Sequence, residues 1–98
     1  MSEPTESREQ VLEAIKVLAR DKLDWTGRME PGMRLVEDLR LDSIRLLTLA
    51  MEVEDRFRIF LDEDEESRIQ TVDDLIDVIL TKQKYQNGNQ DADQNDGL

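Results

Sequence analysis

Apolar residues recur at three- and four-residue spacing in three separate segments of this chain, and that period commits each segment to an amphipathic helix. In residues 7 to 23 the set is Val11, Leu12, Ala14, Ile15, Leu18, Ala19 and Leu23. Glu9, Glu13, Lys16 and Arg20 fall toward the other face, and Ser7 followed by Gln10 fits a capping box. Residues 43 to 57 carry two stripes, Leu46, Ala50, Val53 and Phe57 on one line and Ile44, Leu47 and Met51 on another. Two stripes exceed what one core face needs. Either the helix lies at the centre of the fold, or Ile44 and Met51 stay partly exposed for a partner or a greasy cargo. The last helix is capped by Thr71 with Asp74 three residues on. Its core stripe is Val72, Leu75, Ile76, Ile79 and Leu80, and Lys82 and Lys84 suit its C-terminal end.

Between these helices the chain is less regular. Gly27, Pro31 and Gly32 break any helix in residues 24 to 42. Trp25, Met29, Met33, Leu35, Val36, Leu39 and Leu41 are scattered through the same stretch, so it reads as a packed loop that delivers Ser43 to a helix start. Arg58 to Leu61 reads as extended or irregular. The acidic run Asp62 to Glu66 can open a short helical turn, since acids favour a helix N-terminus, with Ile69 as its anchor. The class is all-α. The folded domain is expected over residues 7–84, with a flexible N-terminus at 1–6 and a disordered polar tail at 85–98.

Ninety-eight residues suit one small domain. The formal net charge of −11 argues against nucleic acid and anionic membranes as partners. It suits proteins with basic patches, or simply serves solubility. No apolar run approaches the ~20 residues of a membrane span, so no membrane insertion is expected. The acidic first residues do not form a signal peptide, and with no cysteine in the chain the expected setting is a reduced, cytoplasmic one. The chain also lacks histidine. Acid–base work at neutral pH would then need a carboxylate or lysine with a shifted pKa, and a domain this small has little interior in which to shift one. A self-contained enzyme is therefore not expected.

Ser43 is the one candidate attachment point for chemistry brought from outside. A serine at a helix start sits beside unpaired backbone N–H groups and the positive end of the helix dipole, which together stabilise a phosphodiester. Taken alone, it equally fits an ordinary N-cap serine.

The flanking residues carry more. Asp38-Leu39-Arg40-Leu41-Asp42-Ser43-Ile44 resembles the phosphopantetheine attachment motif of acyl carrier proteins, usually aspartate-leucine-glycine, one residue, then aspartate-serine-leucine. Leu35-Val36-Glu37 resembles the family's loop, Glu52 through Phe57 the end of its second helix, and Ile69 through Ile76 the start of its last. The likeness covers roughly residues 6 to 83. It implies a four-helix bundle with three main helices, a short third helix and a long loop between the first and second. It implies that a phosphopantetheinyl transferase moves 4′-phosphopantetheine from coenzyme A to Ser43, and that the arm's thiol carries acyl groups as thioesters. Acyl-transferring and synthase enzymes of a fatty acid, polyketide or related lipid pathway would be the other partners of a monomeric carrier. Asp42 and Ile44 would belong to the recognition site for the transferase. Leu46, Val53 and Phe57 would hold the core against Leu12, Ile15, Leu75 and Ile79, with Ile44, Leu47, Ala50 and Met51 nearer the arm, cargo or partner. The partner surface would comprise Arg45, Leu47, Thr48, Met51, Glu52, Glu54 and Asp55.

The departures from the pattern have consequences. Arg40 stands where glycine is usual, and a positive φ there would cost an arginine, so a different turn is possible. Arg45 and Thr48 stand where acidic residues are usual in carriers of primary fatty acid synthesis, which points to a specialised carrier. Phe60 falls where a polar residue is common and is a candidate for exposure. Two rivals remain at this stage. One is an acidic helical interaction module without a prosthetic group. The other is a calcium site at Asp62, Asp64, Glu66 and Asp73, which lacks both the turn glycine and the terminal glutamate of a calcium loop. A hydrolase would need a base near Ser43 that the sequence does not supply.

Overall fold

Ser7 opens the first helix as its spacing to Gln10 predicts. Ser7 Oγ accepts the N–H of Gln10 at 3.2 Å, and Gln10 Oε1 accepts the N–H of Ser7 at 2.8 Å. This reciprocal pairing satisfies two amides that a bare helix end leaves open. The computed structural model describes residues 6–96, with side chains described as far as Lys84. The elements are α1 (Arg8–Leu23), α2 (Ser43–Phe57), α3 (Glu63–Arg68) and α4 (Val72–Asp96). Three main helices, a short third one and a long first connection are the expected arrangement.

The core forms where the apolar stripes of α1, α2 and α4 meet. Val11, Ile15, Val53, Val72, Ile76 and Ile79 are the largest side chains sealed from solvent. Burying each contributes about 2 kcal/mol of transfer free energy, before the ordering entropy that opposes it. The expected α1 stripe divides into Val11, Ile15, Ala19 and Leu23, which are buried, and Leu12, Ala14 and Leu18, which border the core. On α2 the buried line is Leu49, Val53 and Phe57, a clean four-residue repeat. Leu49 was absent from both expected stripes, while Leu46 and Ala50 are only half-buried. At 3.6 residues per turn the core direction therefore lies only about 40° from the Leu46–Ala50 line, and Val53 and Phe57 belong to both.

The remaining segments are pinned by backbone bonds and alternation. Leu35 N–H donates to Gln70 O at 2.9 Å and Val72 N–H to Met33 O at 3.0 Å, a single antiparallel bridge that fastens the long loop to the start of α4. Met29, Leu35, Leu39 and Leu41 are buried by this packing, but Val36 is exposed. After α2 the chain runs extended, with Ile59 and Leu61 buried and Phe60 between them exposed, as side chains alternate along extended backbone. Asp62 and Glu65 form a second capping box at α3, Glu65 pairs with Lys82 at 2.7 Å, and Arg8 of α1 pairs with Asp73 and Asp77 of α4. The acidic run thus serves as cap and ion-pair partner, and no group of residues among those described could hold a metal ion.

Glu6 and the far end of α4 stand at the two ends of the described chain. Glu6, assigned to a flexible terminus, accepts hydrogen bonds from Arg56 at 3.1 Å and Gln83 at 3.3 Å, so it ties α1 to α2 and α4. At the other end the backbone of α4 stays helical through Asp96, beyond the Lys84 boundary after which a disordered tail was expected. No proline interrupts residues 72–96, so every amide of the segment can donate, and Gly88 is accommodated within the helix. The expectations for residues 1–5 and 97–98 lie outside the described residues. No helix among the described residues is long and apolar enough to cross a membrane.

Candidate functional site

The approach to Ser43 is built by a turn that ends on Arg40. Arg40 adopts φ 61°, the left-handed conformation that glycine takes without strain. Its N–H closes on Val36 O at 3.1 Å, and Leu41 N–H reaches Leu35 O at the same distance. The turn expected of a glycine is therefore kept, with an arginine in the strained position. Burial of Leu39 and Leu41 on either side of Arg40 holds it there. Asp38 Oδ2 accepts the N–H of Arg34 at 2.8 Å, and that bond holds the Asp38 carboxyl below its ordinary pKa, with the Arg34 guanidinium adding to it. Trp25 Nε1 donates to Leu39 O at 3.0 Å. A Cβ on Gly27 would come within 2.9 Å of the Trp25 ring, so glycine permits this approach.

Asp42 closes the helix, and Ser43 does not. Asp42 Oδ1 accepts the N–H of Arg45 at 2.8 Å, and Asp42 O accepts Leu46 N–H at 2.8 Å. Ser43 is the first residue of α2 and exposed, so its hydroxyl is not consumed in capping. The open amides of the first turn and the positive end of the helix dipole lie beside it.

A cleft of about 480 Å³ opens next to Ser43. Ser43, Leu46, Leu47 and Ala50 of α2 form one wall. Glu63, Glu66 and Ser67 of α3 form the opposite rim, and Leu49, Leu61 and Leu75 reach it from the core. The interior is apolar and the rim polar, which suits a greasy chain with a polar head. The contribution of α3 was not legible in sequence, because its acids read as a solvated turn.

The other expected site residues separate into two groups. Ile44, Leu47 and Met51 are 75%, 58% and 58% exposed, an apolar line on the outer face of α2. Arg45 and Asp55 are also exposed. Glu52 and Thr48 are half-buried, with Thr48 Oγ1 donating to Ile44 O at 2.9 Å. Glu54 turns inward, and its Oε2 accepts the N–H of Leu61 at 2.8 Å. The structure thus commits Glu54 to holding the α2–α3 connection.

A single serine at the head of a helix, an apolar cleft beside it and an all-helical bundle define a carrier-type domain. Comparison with known proteins agrees. The chain is 32% identical over 75 residues to an acyl carrier protein of Tropheryma whipplei, covering 76% of this chain and 92% of that one. It is 35% identical over 74 residues to one of Nitratidesulfovibrio vulgaris, covering 74% and 97%. The crystal structure of an acyl carrier protein from Thermotoga maritima superposes with a TM-score of 0.74 at 28% identity, covering 80% of this chain and 92% of that one. No family model matches the chain. The chain belongs to the acyl carrier protein family.

Proposed function

We propose that this protein carries acyl groups as thioesters on a 4′-phosphopantetheine arm joined to Ser43 through a phosphodiester. The observation that carries the reading is the exposed Ser43 at the first position of α2, with Asp42 taking the capping role. A phosphodiester on Oγ lies beside the first-turn amides and the helix dipole, both of which favour an anion. The arm supplies a thiol, which a chain without cysteine lacks. The cleft beside Ser43 then shelters the part of the cargo next to the thioester.

Asp42 and Ile44 flank the serine and serve recognition by the transferase that loads it. The chain has no catalytic role of its own in this reading. Acyl-transferring and synthase enzymes of a lipid or polyketide pathway in the cytoplasm act on its cargo. Arg45 and Thr48 favour a dedicated pathway over primary fatty acid synthesis, since both alter the charge beside Ser43.

The test is intact mass after incubation with coenzyme A and a broad-specificity phosphopantetheinyl transferase. A mass gain equal to the arm, lost in Ser43→Ala, supports the reading. No gain leaves an acidic helical interaction module without a prosthetic group.

A further inference from the structure

Positive charge is placed at the Ser43 end of α2 against two local preferences. Arg40 keeps a left-handed backbone that a glycine would adopt without strain. Arg45 sits in the first turn of α2, where the helix dipole disfavours a cation. The first turns of α1, α3 and α4 all carry acids, at Glu9, Glu63 to Glu66, and Asp73 and Asp74, whereas that of α2 carries none. Both arginines are exposed. Arg8, Arg20, Arg28, Arg34 and Arg56 each lie within ion-pair distance of a carboxylate. Arg40, Arg45, Arg58 and Arg68 have no such partner among the described residues, and of these only Arg40 and Arg45 flank Ser43 in the chain.

The rest of the outer face of α2 has a different character. Ile44, Leu47 and Met51 leave an apolar line open to solvent. Glu52 and Asp55 add carboxylates toward the distal end, beside Arg56, which pairs with Glu6, and the exposed C-cap Arg58. A rise of 1.5 Å per residue puts Glu52 and Asp55 about 10 and 15 Å beyond Arg45 along the axis. The face therefore places Arg40 and Arg45 around Asp42 and Ser43, an apolar line in the middle and carboxylates mixed with arginine further out, an order that limits the orientations in which a complementary surface can dock.

We propose that the enzymes receiving Ser43's cargo present carboxylates around the entrance that admits the arm, facing Arg40 and Arg45, with basic groups further out facing Glu52 and Asp55. This rests on the carrier reading, since only a tethered cargo brings Ser43 and its neighbours to an active-site entrance. An entrance rimmed by lysine and arginine would meet Arg45 as a like charge, which costs encounter rate and affinity.

The test uses wild type, Arg45→Glu and the double variant Arg40→Gly with Arg45→Glu. All three retain the cap, because glutamate at position 45 completes a capping box with Asp42, and glycine relieves the turn. Helicity and melting are checked by circular dichroism, and loading at Ser43 by intact mass. Each loaded protein is then assayed with two acyl transferases of known structure, one with a basic active-site entrance and one with an acidic entrance. The double variant is expected to gain on the order of tenfold in kcat/KM with the basic entrance and to lose as much with the acidic one, mainly through KM, for reversal of close charge pairs. Both changes should shrink in about 0.5 M salt, where screening reaches contact range. Loaded proteins whose rates ignore the sign of the entrance overturn the docking proposal alone, as does a wild type that already prefers the basic entrance. Absence of loading overturns the carrier reading and this proposal with it.

Discussion

Asp42 caps α2 through the N–H of Arg45 at 2.8 Å, and this bond leaves the neighbouring Ser43 free at the head of the helix. Capping and attachment are thus divided between adjacent residues. Asp42→Ala should lower stability by about 1 kcal/mol, the usual worth of a side-chain cap. Ser43→Ala should stay within about 0.5 kcal/mol of wild type, as an exposed residue outside the cap does. Urea unfolding followed by circular dichroism distinguishes the two. A large loss in Ser43→Ala would mean that the hydroxyl is part of the cap.

Arg40 holds its turn in a conformation that favours glycine. Arg40→Gly should raise stability by about 0.5–1 kcal/mol, the relief of left-handed strain offset by the added freedom of the unfolded chain. The gain should appear in the unfolding midpoint without a change in slope. A loss would show that the Arg40 side chain makes a stabilising contact.

Leu47 and Leu49 are both leucines of α2 beside the cleft, but they are 58% and 3% exposed respectively. Leu49→Ala should cost about 3 kcal/mol, within the range for buried leucine truncation. Leu47→Ala should change stability by no more than about 0.5 kcal/mol. Thermal melts of the pair test the orientation of α2, because a rotation of the helix would exchange the two outcomes.

Asp74 Oδ2 accepts the N–H of Gln70 at 3.0 Å and of Thr71 at 3.1 Å. These bonds hold its carboxyl below the ordinary value of 3.8, the Gln70 contact contributing most. The folded pKa lies below the unfolded one, so the stabilisation is complete above the unfolded value and is lost as pH falls through the folded value. Asp74→Asn should therefore be less stable than wild type at neutral pH, with the gap closing progressively below about pH 4. Using the gap removes the general effect of protonating the other carboxylates of an acidic chain. A gap independent of pH would assign the loss to altered packing.

The caps at Ser7 and Thr71 and the helices they begin were legible in the sequence because their partners lie three residues away, within one turn. Ser43 was legible for the same reason, since its neighbours Asp42 and Ile44 carry the pattern. Periodicity gives the angle between side chains on a helix but not the direction of the core. Leu49 was therefore missed while Leu46 and Ala50 were expected in its place, and only packing against α1 and α4 decided between them. The cleft likewise required α3 to lie against α2, which brings Glu63, Glu66 and Ser67 opposite Ser43 from about 20 or more residues away. Contacts beyond one helical turn were hidden likewise, from the turn of Glu54 toward Leu61, seven residues on, to the reach of Glu6 to Arg56 and Gln83. Local hydrogen-bond chemistry thus determined where the helices begin and which serine stands at the head of α2. The tertiary fold decided what that serine faces, because burial and ion pairing depend on neighbours that the linear order keeps far apart.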